Sequence, residues 1–429
     1  MFFERPPQGQ QALLLHVHAP GNTGEDETAE LRELVVSADL QPRTTLVVTR
    51  TRPHPRWFVG QGKAEEIRQA MKSNDDDLLI VNHDLTPAQQ RNMEDLLQAR
   101  VMTRTELILH IFADRARTRE GQLQVELAQL QHARTRLVRG WTHLDRQKGG
   151  PYMRGVGESQ LELDQRMIAD RIKKLKERLE RVRRQRAQSR RQRSRANVPT
   201  IVLVGYTNAG KSSLFNALTE ASVSVQDRLF ATLDPTMRQL KLDGFGTVVI
   251  ADTVGFIRDL PVDLVEAFKA TLEEVSAADM LLHVIDSATP EPESICAEVD
   301  QVLEEIDAGR VPKIQVFNKI DRSGLRPGVL GDRVHVSARS KQGLKALKDE
   351  IARRLGVANE PFEVHLAPSN GKARAWLYEL GAVVGESVQE DGASTLSVRL
   401  DAEQIDRLIA QEGVSLQEAL PDPKILAWS

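Results

Sequence analysis

The stretch Gly205-Tyr206-Thr207-Asn208-Ala209-Gly210-Lys211-Ser212 decides how the rest of this chain is read. An apolar run, Ile201 to Val204, precedes it, and Ser213-Leu214-Phe215-Asn216-Ala217-Leu218 follows with the apolar spacing of a helix. Strand, loop and helix in that order make a phosphate loop. Gly205 and Gly210 permit backbone conformations that a Cβ would block, so successive N–H groups can turn inward around a phosphate at a helix N-terminus. Lys211 is then placed to reach the β- and γ-phosphates, and the Ser212 hydroxyl to ligate Mg2+.

Working outward, Thr247 to Ala251 reads as a strand that ends on Asp252-Thr253-Val254-Gly255. Asp252 is placed to hold Mg2+ through its water shell, and Gly255 to offer a backbone N–H to the γ-phosphate. Met280 to Ile285 is a strand of buried type ending on Asp286, and Ile314 to Phe317 is the next, ending on Asn318-Lys319-Ile320-Asp321. The two oxygens of the Asp321 carboxylate match the N1–H and N2–H2 donors of guanine, a pair adenine lacks. Asn318 would tie this loop to the nucleotide site, the Lys319 stem can lie over the base, and Ser337-Ala338-Arg339 follows a further strand with backbone suited to guanine O6. Each tetrapeptide alone is a weak signal. In this order, each at a strand end, they specify GTP and GDP rather than adenine nucleotides.

Between Gln226 and Leu240 lies an irregular stretch, Leu229-Phe230-Ala231-Thr232-Leu233-Asp234-Pro235-Thr236. A threonine here is expected to close over Mg2+ and the γ-phosphate with GTP bound and to let go after hydrolysis. Thr232 and Thr236 both qualify, and Thr232 is preferred. The residue after Gly255 is Phe256, where many GTPases carry the glutamine that orients the attacking water. A phenyl ring offers that water no hydrogen bond, so slow intrinsic hydrolysis is expected, with water positioned by a partner, by backbone or by a monovalent cation. Asn208 is similar to the asparagine of potassium-assisted GTPases, which brings K+ into consideration.

The whole chain has 429 residues, a formal net charge of -3 and 40% hydrophobic content, as expected of a soluble protein of several domains. A single cysteine, Cys296, excludes an internal disulfide or a cysteine-based metal site and fits a reducing cytoplasm. No apolar run approaches the ~18 residues of a membrane span, and the first residues lack a signal-peptide layout. Residues 1–118 alternate strand and helix patterns, which argues for an α/β domain with a mainly parallel sheet. Within it, Phe58-Val59-Gly60-Gln61-Gly62-Lys63 carries a Gly-x-Gly-Lys. A surface turn leading into a helix at Ala64 is the favoured reading, and a second nucleotide site the alternative.

Residues 119–198 read as a helical hairpin: one helix over Gln124 to Val138, a Gly-rich basic loop over 140–157 that carries Trp141 and Tyr152, and a long helix from Ser159 to Arg195. The second helix ends in Arg181, Arg183, Arg184, Arg186, Arg190, Arg191, Arg193 and Arg195 with almost no acid between them. Such a run is often a solvated end or linker. Beside a Gly/aromatic basic loop it favours nucleic-acid backbone; with no base-reading module visible, contact to phosphate and shape is expected, as structured RNA invites, and no DNA partner is expected. Residues 199–356 form the nucleotide domain, and residues 360–429 a small α+β domain with a hairpin around Glu390-Asp391-Gly392 and a last helix, Ala402 to Gln411, capped by Asp401.

With these residues on the page, the chain resembles the HflX family of ribosome-associated, translation-factor-related GTPases over nearly its whole length. The segments that carry the resemblance are Gln124-Val125-Glu126-Leu127-Ala128-Gln129-Leu130, Gly155-Val156-Gly157-Glu158-Ser159-Gln160-Leu161-Glu162, Gly205 to Ser212, Phe230 to Asp234, Asp252 to Phe256, and Gly371-Lys372-Ala373-Arg374-Ala375-Trp376-Leu377. The resemblance implies an α/β N-terminal domain with a helical hairpin, a Ras-like P-loop G domain and a small C-terminal domain. It also implies a probe-like approach of the 140–157 loop to ribosomal RNA, GTP-dependent binding of the large ribosomal subunit by a monomer, separation of stalled or stressed 70S ribosomes, and release after hydrolysis. An assembly or storage factor for the large subunit, and a GTP-gated RNA-remodelling protein acting off the ribosome, share these motifs.

Overall fold

The computed structural model describes residues 9–20, 24–140, 160–195, 198–219, 229–230, 232–233, 235–243, 245–257, 272–289, 292–358, 362–380, 382–388, 392–398, 400, 408 and 414–416. The 140–157 loop beyond its first residue, Ala231, Asp234, the Glu390-Asp391 turn and the last expected helix, apart from Leu408, lie outside them.

The first sheet has the order β2-β1-β3-β4, built from β1 (Gln11–His18), β2 (Gln41–Thr49), β3 (Leu78–Val81) and β4 (Arg100–Thr103), all parallel. Alternation along the strands sends Ala12, Leu14, Leu78, Ile80 and Met102 to one face and Leu13, Leu15, Leu79, Val81 and Val101 to the other. Because both faces are apolar, both need a cover. Helices α1 (Glu25–Ser37) and α4 (Arg104–Arg115) cover the first, and α2 (Gln61–Asn74) and α3 (Pro87–Leu97) the second. Thr86 and Thr103 open α3 and α4 with capping boxes completed by Gln89 and Glu106. The Gly-x-Gly-Lys stretch opens α2: Gly60 is its N-cap, and Lys63 in the first turn pairs with Glu66 at 2.8 Å.

The expected hairpin consists of α5 (Arg119–Gly140) and α6 (Gln160–Arg195). Leu123, Leu127 and Leu130 of α5 bury against Ile168, Ile172 and Leu175 of α6, and Arg171 reaches Glu126 at 2.6 Å.

The central sheet has seven strands in the order β10-β11-β9-β8-β5-β7-β6. Its core is β5 (Thr200–Val204), β7 (Gly246–Asp252), β8 (Met280–Asp286), β9 (Lys313–Asn318) and β11 (Arg333–His335), paired in parallel; β6 (Thr236–Leu242) and β10 (Gly328–Leu330) close the edges antiparallel. Helix α7 (Lys211–Thr219) puts Leu214, Phe215 and Leu218 on one face, and Val299 and Leu303 of the helix Pro292–Glu305 cover the other. Parallel pairing brings the ends of β5, β7, β8, β9 and β11 to one edge of the sheet, where a doubly wound fold presents its site. A third sheet, β13-β14-β12-β15, is antiparallel, formed by β12 (Phe362–Leu366), β13 (Val383–Val388), β14 (Ser394–Val398) and β15 (Val414–Leu416), and buries Ala373 and Leu377 of the helix Gly371–Glu379. The protein is α/β with a Ras-like G domain between an N-terminal α/β domain and a small C-terminal domain.

His283 on β8 is fully buried and makes no hydrogen bond among the described residues. Burial, opposed by Asp300 and reinforced by Lys313, lowers its pKa to about 4 from an ordinary 6.5. The folded state therefore prefers the neutral ring, and stability is present above pH 6.5 and lost as the pH falls toward 4. The full shift corresponds to about 3 kcal/mol. Thermal melts between pH 7 and 4.5 should show His283→Leu losing less stability on acidification than the parent; parallel curves would rule this out.

Candidate functional site

At the edge where the parallel strands end, the phosphate loop leaves β5 and wraps toward α7. Gly210 has φ +91°, and a Cβ there would lie 2.3 Å from Asn318 Nδ2, so the loop can pass the end of β9 only as glycine. The side chain of Asn318, 1% exposed, donates from Nδ2 to Ala209 O at 3.0 Å and accepts at Oδ1 from Ala338 N–H at 3.0 Å. One amide thereby ties the phosphate loop, the end of β9 and the Ser337-Ala338 turn into a unit.

Asp321 lies in the short helix Ile320–Ser323 and accepts at Oδ1 from Ser337 Oγ at 2.6 Å. This hydrogen bond is the leading cause of a lowered pKa, so the carboxylate is held ionised. Lys319, in the left-handed region at φ 64°, donates from Nζ to Asp286 Oδ2 at 2.8 Å. Asp286 at the end of β8 thus fixes the head of the side chain whose stem was expected over the base, a role the sequence reading did not assign it. Ile320 is buried beneath the turn, and Arg339 is exposed.

On the phosphate side, Lys211 is buried and donates from Nζ to Gly205 O at 3.0 Å and Tyr206 O at 2.8 Å. Burial lowers its pKa to about 8, with Asp252 opposing. A Cβ on Gly255 would come within 2.8 Å of Lys211 Nζ and of Thr207 Cγ2, so the Asp-Thr-Val-Gly turn presses directly on the phosphate loop. Asp252, 1% exposed, accepts at Oδ2 from Ser212 Oγ at 2.6 Å and from Thr232 Oγ1 at 2.9 Å, and the two hydroxyls are 2.8 Å apart. Its Oδ1 is buried without a hydrogen-bond partner among the described residues. Burial pushes this carboxyl's pKa up, while Ser212, Lys211 and Thr232 pull it down. Two hydroxyls and a carboxylate with an unmatched oxygen form a hard-oxygen donor set that fits Mg2+, which commonly takes few protein ligands and completes its shell with water and phosphate. Of the two threonines, Thr232 stands in this cluster; Thr236 opens β6, paired with Asp252.

The remaining expected residues divide. Thr253 Oγ1 donates to Leu203 O at 2.7 Å, a structural bond, and Val254 packs on the N-terminal core. Asn208 is exposed at φ 62°. Phe230 and Leu233, expected to bind nucleotide, are 2% and 3% exposed in the N-terminal core, which leaves their backbone but not their side chains for that task. Tyr206 likewise sends its hydroxyl to Glu30 Oε2 of α1 at 2.5 Å. Phe256 is 7% exposed, packed among Val202, Val204 and Val275, while its backbone N–H donates to Gly205 O at 3.1 Å and its carbonyl accepts from Thr207 at 2.7 Å. Sequence reasoning missed Glu30 and Ser37, because nothing local in α1 marks them as neighbours of a distant loop.

Comparison with known proteins agrees with this geometry. Residues 25–113 and 115–193 match the family descriptions GTP-binding GTPase N-terminal and GTP-binding GTPase Middle Region. Residues 200–319 match 50S ribosome-binding GTPase, and 329–420 the HflX C-terminal domain. GTPase HflX of Escherichia coli (strain K12) is 48% identical over 417 residues, covering 96% of this chain and 98% of that protein. The Magnetococcus marinus GTPase HflX is 46% identical over 420 residues, covering 95% and 97%. Among solved structures, a complex of SsGBP and GDP is 25% identical at a TM-score of 0.46, over 80% of this chain and 98% of that one. A phosphate loop, a carboxylate and two hydroxyls in one cluster, an Asn318–Asp321 turn tied to that loop, and 46–48% identity over nearly the whole of both relatives make one conclusion: the chain is a GTPase and belongs to the HflX family.

Proposed function

We propose that the chain is a GTP-gated factor that binds the large ribosomal subunit, separates stalled or stressed 70S ribosomes and leaves after hydrolysis. In this reading Lys211 and the backbone of Gly205 to Ser212 hold the phosphates. Ser212 and Thr232 ligate Mg2+, Asp252 holds it through water, and the Gly255 N–H meets the γ-phosphate. When bound, Mg2+ supplies charge neutralisation at the β- and γ-phosphates. Asp321 selects guanine, Asn318 and Lys319 complete the base pocket, and the backbone of Ser337, Ala338 and Arg339 faces O6. Lys211, Thr232 and Gly255 are the groups placed to act on the reacting phosphate.

The observation that carries the gating is Arg183 of α6. It grips both carboxylate oxygens of Glu273, with Nε at 2.9 Å from Oε2. Glu273 belongs to the helical turn 272–276, which follows Asp252–Gly255 in the chain. An exposed pair of this kind adds little stability. Its value is mechanical, because it joins the arginine-rich hairpin to the segment downstream of the γ-phosphate reader. The hairpin's charge suits RNA phosphate, whose contacts position a protein without reading sequence, and the matched description as a 50S ribosome-binding GTPase supports the large subunit as partner. Among the described residues no helix is long and apolar enough to cross a membrane, in keeping with a cytoplasmic site of action.

The same geometry supports slow unaided hydrolysis. With Phe256 turned into the core, water must be oriented by the ribosome, by backbone or by K+ near Asn208. Turnover of the parent should be about tenfold or more faster in KCl than in NaCl, the scale expected for one preorganised charge at a transition state; equal rates would remove the cation. Asp321→Asn should weaken GTP by about a hundredfold or more, through loss of two charge-assisted hydrogen bonds, and favour a xanthine nucleotide in competition; unchanged guanine preference would remove the base-reader assignment. Sucrose gradients of 70S ribosomes with protein and a non-hydrolysable GTP analogue should accumulate free subunits. Co-migration without dissociation would favour an assembly or storage factor, and equal capture with GDP, GTP analogue or neither would end the gating reading.

A further inference from the structure

The loop that carries Thr232 is gripped from outside the G domain. Phe230 packs edge-on against Phe112 of α4, with ring centroids 4.7 Å apart and planes at 88°. The Leu229 N–H donates to Ser37 Oγ at the end of α1, at 2.8 Å. Leu229, Phe230 and Leu233 share one buried cluster with Leu31, Leu34 and Val35 of α1 and with Leu107 and Phe112 of α4, and Ile257, just past the Asp-Thr-Val-Gly turn, joins them. On the phosphate loop Tyr206 donates to Glu30, which is ion-paired to Arg104, and Asn82 Oδ1 accepts from Arg104 Nη1 at 2.9 Å. A single face of α1 and α4 thus touches the phosphate loop, the threonine loop and the turn that reads the γ-phosphate. Held there, Thr232 already stands 2.8 Å from Ser212 Oγ and 2.9 Å from Asp252 Oδ2.

We propose that Ser37 and Phe112 of the N-terminal domain are positioning residues that set the preference for GTP over GDP by holding the threonine loop against Ser212 and Asp252. Ordering a loop costs on the order of 1 kcal/mol or more per residue. A nucleotide that uses Thr232 gains when that ordering is already done, and GDP, which lacks the γ-phosphate, does not. The coupling is reciprocal: GTP must tighten the grip of α1 and α4 on the loop by the factor with which the grip tightens GTP. If the contacts served stability alone, weakening them would move both nucleotides together.

This inference rests on the proposed role of Thr232, and the test separates the two. Affinities of the full chain for a fluorescent non-hydrolysable GTP analogue and for fluorescent GDP are measured for Ser37→Ala, Phe112→Leu and Phe112→Ala, with Thr232→Ala alongside. The expected result is an affinity for the GTP analogue lowered by about tenfold, within the usual range of coupling between sites, with GDP affinity essentially unchanged. Hydrogen exchange of the parent at 25–37 and 104–115 should be slower with the analogue than with GDP. Equal loss of both nucleotides in the three variants, or exchange indifferent to the nucleotide, overturns the proposal. Selective loss of the analogue in Thr232→Ala but in none of the three overturns the clamp while leaving Thr232 its role; a Thr232→Ala that keeps its preference overturns both.

Discussion

A carboxylate sealed inside a protein with one oxygen unmatched is costly unless positive charge meets it. Asp252 is in that situation: Ser212 and Thr232 donate to one oxygen, the other has no hydrogen-bond partner within reach among the described residues, and the Thr253 backbone and Lys211 only partly offset its burial. The site's other features follow from it. The lysine must be buried to face the carboxylate and the phosphates. The loop bearing Thr232 must come down from beyond α7, and the turn after β7 must carry glycine where it crosses the lysine. In the proposed reading a cation and a polyphosphate would complete a charge balance that side chains alone leave open.

Much of this was legible because it is local. Phosphate loop, Asp-x-x-Gly turn and base reader are short segments at strand ends, and parallel pairing carries strand ends to one edge whatever the helices between them do. The unbroken apolar run of Leu13, Leu14 and Leu15, split between the two faces of the first sheet, is the pattern a strand needs when both faces are covered. Boundaries are hardest to read where propensity is ambiguous: β2 begins at Gln41, and the polar Arg43, Thr44 and Thr45 mark a shift in its register with β1 that nothing local announces. The helix Arg104–Arg115 went unread, since it follows β4 without a break and its capping box, Thr103 to Glu106, lies inside what looked like a strand end.

The less legible part is long-range. Leu229, Phe230 and Leu233 are apolar residues in a loop, and an apolar loop residue has to be buried against something. Nothing in the sequence says that the something is α1 and α4, more than a hundred residues upstream. The resemblance assigned this stretch to nucleotide, and the side chains instead cement two domains while the Thr232 hydroxyl between them meets Ser212 and Asp252. One short segment faces two ways.

Phe256 has a consequence for timing. On the proposed reading, an aliphatic and aromatic pocket where other nucleotide hydrolases keep a polar side chain takes away the chain's own means of aiming water, and its triphosphate form would be long-lived by construction. Whatever macromolecule or ion makes good that missing group also chooses the moment at which the cycle ends. The fold is a fuse that can be set in one place and lit in another.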